Sequence, residues 1–161
     1  MSFGQAITSV FSKYANFSGR ARRSEYWYYL LFYFLVSLLL GVITYYAPNL
    51  ALIYSLWVLV MFIPSISVTV RRLHDIGKSG WYFFAYLIAY CLLLFLTYII
   101  NFDNFVACIF YCIFLVAYLV YSIILIVWCC RNSQLGENKW GPDPKERSIV
   151  KEEIVDPEQD V

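Results

Sequence analysis

The sequence predicts an all-α integral membrane protein with four transmembrane helices, and three observations support this fold class. The first is a set of four apolar stretches of 20 to 26 residues without Asp, Glu, Lys, Arg or His: Tyr26–Tyr46, Leu50–Val70, Trp81–Ile100 and Phe105–Cys130. A helix needs about 20 residues to cross the roughly 30 Å hydrocarbon core of a bilayer. The second is composition, because 61% of the residues are hydrophobic and 14% are charged. A soluble domain has roughly 45–50% apolar and about 25% charged residues.

The third observation is the position of the charges. All twelve Lys and Arg residues lie in the N-terminal arm, in the link between the second and third stretches, or after the fourth stretch. The link at 47–49 has no charge, and the link at 101–104 has only Asp103. By the positive-inside rule, we expect both termini and the link at 71–80 to face the cytoplasm. Four crossings return the chain to its starting side, so the number of stretches and the charges agree.

The stretches predict helices rather than barrel strands, because a barrel strand alternates lipid-facing and lumen-facing residues. Residues 30–41, for example, show no such alternation. A continuous helix also satisfies its own backbone hydrogen bonds in lipid. We expect a single membrane domain over residues 1–144 and no cleavable signal sequence. Residues 145–161 are charged, contain proline and lack apolar periodicity, so we expect a disordered cytoplasmic tail.

The N-terminal arm is predicted to contain an amphipathic helix over residues 2–15. Its apolar residues recur at helical spacing and share one face: Phe3, Ile7, Val10, Phe11 and Tyr14. One interpretation is an interfacial helix lying in the cytoplasmic headgroup layer. The other is a short helix packed on the cytoplasmic end of the bundle. The two interpretations are compatible, and the sequence leaves both open.

The four stretches are predicted to form two hairpins. Pro48 ends the first helix, so the first and second spans meet in a tight turn. The third and fourth spans form the second hairpin. Within the second span, Pro64 predicts a kink, and the hydroxyls of Ser65, Ser67 and Thr69 are available to the carbonyls that the proline leaves free.

The densest polar sequence is the link from Arg71 to Trp81. Gly77 suits the left-handed conformation that ends a helix, and Ser79 suits the cap of the next one. One hypothesis is a functional site in which His74 is an acid or base and Asp75 orients it or pairs with an arginine. Basic side chains then hold a phosphate or another anion: Arg71, Arg72 and Lys78. The structural alternative is that these charges only set the orientation in the membrane, and that their salt bridges form a cap that joins the two hairpins.

A second polar sequence, residues 135–144, is rich in turn-forming Gly and Pro. It carries the polar side chains Asn138, Lys139 and Asp143, and Trp140 as an interfacial anchor. We expect this loop to fold over the 71–80 link as a structural cap. Binding a phosphate through backbone N–H groups is the alternative, although the loop lacks the Walker pattern and opens no helix.

The five cysteines lie within or at the end of the predicted spans: Cys91, Cys108, Cys112, Cys129 and Cys130. A redox pair or a soft-metal site is one interpretation. Because no His lies beside them and the spans that contain them carry no charge, we interpret them as small apolar packing residues. We therefore expect no metal and no cofactor. Net charge is +1, so bulk charge does not indicate nucleic acid as a partner.

Three blocks of sequence resemble the bacterial inner-membrane family catalogued as domain of unknown function 805. The blocks are Phe17, Gly19, Arg20, Arg23, Glu25, Tyr26 and Trp27; Arg71–Asp75, Gly77 and Ser79–Trp81; and Gly136, Asn138 and Trp140–Pro144. The resemblance runs from about Tyr14 to Pro144. It implies a small multi-pass protein of the bacterial inner membrane and no assigned reaction. Trp140 stands where Tyr or Phe is usual in the family.

The residues and the resemblance together predict a non-enzymatic membrane protein with a polar cap on its cytoplasmic face. The expected partners are membrane lipid, including anionic phospholipid, or a partner protein, and a second copy of the chain is a further candidate. The candidate headgroup, anion or cap residues are Arg20, Arg23, Glu25, Arg71, Arg72, His74, Asp75, Lys78, Ser79, Asn138 and Asp143.

Two alternatives stay open. An oligomeric small-solute transporter or channel would be lined by hydroxyls: Ser37, Thr44, Ser55, Ser65, Ser67 and Thr69. Against this, the four stretches contain no ionisable Asp, Glu, Lys, Arg or His, and ion-coupled carriers usually place such residues within the membrane. An interfacial enzyme acting on a lipid headgroup would use His74 and Asp75.

Overall fold

A computed structural model describes residues 1–100 and 105–144, and this part of the chain is helical. Five α-helices follow one another: α1 (Phe3–Ser12), α2 (Arg23–Tyr46), α3 (Ala51–Asp75), α4 (Trp81–Ile99) and α5 (Phe105–Cys130). A 3₁₀ turn, Pro48–Leu50, precedes α3. Helices α2 to α5 are long and apolar enough to cross a membrane, which confirms the predicted number of spans. The predicted link at 101–104 and the predicted disordered tail at 145–161 lie outside the described residues.

Helix α1 is shorter than the predicted amphipathic segment and packs its apolar face on α2. It begins at a capping box, in which Ser2 and Gln5 bond each other's backbone N–H groups. Ala6 and Val10 are completely buried. The ring of Phe11 lies edge-on to Phe32 of α2, with 6.3 Å between centroids. These contacts favour the packed interpretation of α1.

Helices α2 and α3 pack against each other along their lengths. Trp57 Nε1 donates a 3.0 Å hydrogen bond to Ser37 Oγ, and the Trp57 ring stacks on Tyr33 with centroids 6.2 Å apart. Nearer the end of α3, the hydroxyls of Tyr29 and Ser65 lie 2.8 Å apart. These polar side chains of two apolar helices therefore bond each other.

Pro64 has no N–H, so it frees the carbonyl of Val60 one turn earlier in α3. The hydroxyl of Tyr14, which follows α1, donates to this carbonyl. The sequence predicted that hydroxyls of α3 itself would serve here. Instead Ser65 donates to Met61 O at 2.6 Å, and the Ser67 hydroxyl reaches the backbone that follows α1. The proline thus creates a docking point for the N-terminal arm.

Helices α4 and α5 form a second pair that is joined mainly by aromatic side chains. Tyr86 stacks on Tyr118, with 5.0 Å between ring centroids, and Tyr121 donates a 2.7 Å hydrogen bond to the carbonyl of Tyr82. Tyr82 also lies edge-on to Trp128 at 5.1 Å. The first turn of α4, which contains Tyr82, therefore contacts the last turn of α5, which contains Trp128.

Candidate functional site

Three polar segments meet where α2 and α4 begin and where α3 and α5 end. They are residues 19–25, 71–81 and 131–144, and we call their assembly the polar cap. Backbone hydrogen bonds hold the segments together: Ala21 N donates to Arg71 O at 3.0 Å, and Gln134 N donates to Asp75 O at 2.9 Å. The cap therefore joins the segment before α2 and the segment after α5 to the end of α3.

Asp75 lies at the centre of the polar cap and is completely buried. Its carboxylate accepts a 3.0 Å bond from Arg20 Nε and a second charged bond from Arg72 Nη1. Ser133 Oγ donates a further bond of 2.5 Å. One carboxylate thus pairs with two guanidinium groups that come from different parts of the chain.

Both guanidinium groups also donate to backbone carbonyls. Arg20 bonds the carbonyls of Gly136, at 2.6 Å, and Gln134. Arg72 Nε donates to Cys129 O at 3.1 Å, and Arg72 Nη2 donates to Arg131 O. Carbonyl oxygens in the last turn of a helix and in the loop after it have no intrahelical partner. By donating to such carbonyls, these arginines satisfy groups that burial would otherwise leave unpaired. They act as cross-links between segments.

A second buried ion pair joins α2 to α3. Arg71 Nη1 donates to Glu25 Oε1 at 2.8 Å, and both side chains are buried. Ser9 of α1 donates to the same carboxylate oxygen at 3.2 Å. Within the described residues, the other two nitrogens of the Arg71 side chain have no hydrogen-bond partner. A guanidinium with unsatisfied donors is costly to bury, so Arg71 is the least well satisfied of the buried arginines.

His74 is packed between the C-terminal loop and the segment that precedes α2. Its ring stacks on Trp140, with centroids 4.7 Å apart and planes inclined by 11°. Its Nδ1 lies 3.2 Å from the carbonyl of Gly19, which only accepts, so Nδ1 donates. The Asn138 side chain donates to the His74 carbonyl at 3.0 Å. The loop at 135–144 thus folds over the 71–80 link as the sequence predicted.

The end of α3 is a Schellman motif. Lys78 N donates to Leu73 O at 2.9 Å and Gly77 N donates to His74 O at 3.1 Å, while Gly77 has a φ of 77°. The predicted left-handed glycine is therefore confirmed. At the next helix, the N-cap residue is Gly80. Ser79 Oγ accepts a 3.4 Å bond from Trp81 N, so Ser79 lies one residue before the cap position.

The remaining candidate residues lie at the edge of the polar cap. Arg23 is exposed and donates to Asn132 Oδ1 at 2.9 Å. The Lys78 ammonium lies 4.9 Å from the ring centroid of Trp128, which is a cation–π distance. Asp143 is buried. The cap therefore has buried arginines in its interior and accessible cations around its rim.

Sequence reasoning missed several groups that complete the polar cap. Ser9 and Ser133 donate to Glu25 and Asp75, respectively. Backbone carbonyls accept from the arginines, and carbonyls give no sequence signal at all. The basic and acidic residues of the three blocks were the detectable part, because they stand out as charges in short segments beside long uncharged stretches.

Gly80 is expected to be intolerant of substitution. A Cβ at this position would lie 2.6 Å from Val70 Cγ1 and 3.3 Å from Val70 Cγ2. We expect Gly80→Ala to lower the free energy of unfolding in detergent by about 1–3 kcal/mol through overpacking. The matched control is Gly41→Ala in α2, where a Cβ meets nothing within 4 Å and helix propensity favours alanine. Equal stability of the two variants would show that α3 and α4 do not approach closely here.

Comparisons with known proteins support a family assignment. A family model described as "Protein of unknown function (DUF805)" matches residues 14–142. The chain is 33% identical over 142 residues to "Inner membrane protein YhaI" of Escherichia coli K12, covering 88% of this chain and 96% of that protein. It is 30% identical over 141 residues to "Inner membrane protein YhaH" of the same strain, covering 84% and 93%. No solved structure matches the chain.

Proposed function

Because this chain belongs to the DUF805 family of membrane proteins of unknown function, we propose that it is a non-enzymatic inner-membrane protein that binds anionic phospholipid headgroups. The headgroups bind at the rim of the polar cap, which faces the cytoplasm. Four helices cross the bilayer as two antiparallel hairpins, and α1 lies beside α2 in the cytoplasmic half. The buried interior of the cap supports this rim and is structural.

The proposed orientation follows from the charges. The polar cap contains Arg20, Arg22 and Arg23 of the arm and the basic residues of the 71–80 link, whereas the turn at 47–49 has none. We expect an alkaline phosphatase fusion after Val161 to be inactive, since that enzyme needs the periplasm, and a fusion after Asn49 to be active. The opposite pattern of activity would reverse the proposed topology.

One observation carries the headgroup proposal: cations with accessible side chains lie at the rim of the polar cap. Arg23, Arg131 and Lys139 are exposed, and Lys78 is half-buried. By contrast, Arg20, Arg71 and Arg72 are buried in ion pairs with carboxylates, so they have little charge to offer a ligand. Basic residues at an anionic membrane surface gain about 1 kcal/mol each.

The packing of the cap favours a binding protein over an enzyme. Asp75 bonds to Arg20, Arg72 and Ser133, while His74 bonds to a carbonyl and stacks on a ring. The pair therefore lacks the base-and-orienter contact that a catalytic dyad needs. Several hydroxyls considered as a pathway lining are also used in packing, such as Ser37 and Ser67.

The headgroup proposal is tested by lipid-dependent thermal stability in detergent. We expect phosphatidylglycerol to raise the melting temperature more than phosphatidylcholine does, and added salt to reduce the difference. Replacing Arg23, Lys78 and Lys139 with Gln should lower the preference by up to about 1 kcal/mol per residue. The control exchanges Lys for Arg and Arg for Lys at the same positions, which keeps the charge. An undiminished preference in the Gln variant would refute the proposal.

A further inference from the structure

A cleft of about 370 Å³ lies between the α2–α3 pair and the α4–α5 pair. This volume is within the roughly 300–1,000 Å³ range of ligand sites in proteins. All four long helices line it, mainly with aliphatic and aromatic side chains such as Leu30, Phe62, Phe83, Leu87, Leu125 and Ile126. Among the described residues that line it, none is Asp, Glu, Lys, Arg or His. The cleft therefore suits an uncharged, apolar occupant.

The cleft has the depth of one bilayer leaflet. It begins beside the polar cap, at Tyr26, Thr69 and Cys129, and extends along α3 as far as Val58. At 1.5 Å per residue, the distance along α3 from Thr69 to Val58 is about 16 Å. Half of the hydrocarbon core is about 15 Å. An acyl chain that starts at the headgroup layer would end where the cleft ends.

A cation lies at the cap end of the cleft. Arg23 is three positions before Tyr26 and therefore on the same face of α2, one turn nearer the headgroup layer. Arg23 is exposed, and its guanidinium bonds Asn132, two residues beyond the end of α5. Asn132 accepts one of the five donors that a guanidinium carries. Arg23 is thus placed to meet a phosphate above the cleft.

We propose that this cleft binds one acyl chain of an anionic phospholipid of the cytoplasmic leaflet, with the lipid phosphate at Arg23. The inference rests on the proposed orientation and headgroup binding and adds a defined site for the chain. A helix from a second copy fits less well. A helix with its side chains is about 10 Å across, whereas an acyl chain is a single file of methylene groups.

The test measures lipid retention by native mass spectrometry. The protein is purified from detergent that contains equal amounts of phosphatidylglycerol and phosphatidylethanolamine. Leu125→Trp fills the cleft from α5, and Leu87→Trp fills it from α4. The matched controls are Leu119→Trp on α5 and Leu92→Trp on α4, two exposed leucines outside the cleft. Gel filtration identifies which variants are folded. Two cleft-filling variants are used so that the test can still be made if one of them does not fold.

We expect the wild type and both controls to retain one phospholipid per chain. Each folded cleft-filling variant should retain at least about tenfold less, which corresponds to about 1.4 kcal/mol. Arg23→Gln should keep the bound lipid and lose the preference for phosphatidylglycerol. Retention by the cleft-filling variants at the level of their controls would overturn the cleft site, even if the melting assay still shows headgroup binding. Retention without any preference for phosphatidylglycerol would instead refute headgroup selectivity.

Discussion

Asp75→Asn is expected to lower the free energy of unfolding by about 3–5 kcal/mol, the range for removing one partner of a buried ion pair. Asp75 is the carboxylate partner of both Arg20 and Arg72. Asparagine keeps the size of the side chain and removes its charge. Two buried guanidinium groups would then have only carbonyl and amide oxygens as acceptors. The loss is large because both guanidinium groups are buried, so bulk solvent does not replace the lost carboxylate.

Denaturant titration of the purified protein in mild detergent measures this effect. Glu137→Gln is the control, because it makes the same acid-to-amide change at an exposed position of the C-terminal loop, where substitutions usually stay within about 0.5 kcal/mol. We also expect Asp75→Asn to release the C-terminal loop, whose backbone bonds Arg20 and Asp75. Faster proteolysis after residue 131 would report that release. Wild-type stability of Asp75→Asn would contradict the central role of this carboxylate.

Glu25→Gln is expected to cost about 3 kcal/mol, the lower end of the range for a broken buried pair. Glu25 is the carboxylate partner of Arg71, which has two other nitrogens unsatisfied within the described part of the chain. The substitution would leave a completely buried cation without an anion. It would also weaken the bond from Ser9, so we expect α1 to become more accessible to hydrogen exchange.

The double variant Glu25→Gln with Arg71→Met separates charge balance from other roles of this pair. Replacing a buried ion pair by apolar groups is often neutral or stabilising, and methionine removes the unsatisfied Arg71 donors. We therefore expect the double variant to unfold within about 1 kcal/mol of the wild type, although each single variant is destabilised. Additive losses in the double variant would show that Glu25 and Arg71 do not act as a pair.

The four long helices could be predicted because a helix that crosses lipid must be long and uncharged. Both properties can be read from the sequence without knowledge of tertiary contacts. The sequence also identified Gly77, because a helix that ends before a sharp turn favours a residue with positive φ. The charged residues of the cap were visible as isolated polar blocks. The family comparison then agreed with the resemblance that these blocks carried.

The pairing inside the cap could not be predicted, because it depends on which charges the fold brings together. From sequence alone, Asp75 can orient His74 or pair with an arginine, and its position beside both residue types favours neither. In the structure Asp75 bonds two arginines, and His74 stacks on Trp140 instead. The contact between Tyr14 and Val60 could not be predicted from sequence either, since it joins residues 46 positions apart.

The Arg20 cross-links have a consequence for biosynthesis. Arg20 emerges early from the ribosome, whereas its carbonyl acceptor at Gly136 lies 116 residues later. Domains assemble from the N-terminus during translation, so α2 and α3 are made while Arg20 and Arg72 still lack their carbonyl acceptors at Gly136 and Cys129. A nascent chain that stalls before residue 129 would keep the ion pairs with Asp75 but leave these guanidinium donors without the carbonyls. The hydrogen bonds from Arg20 to the C-terminal loop can thus form only when translation is nearly complete.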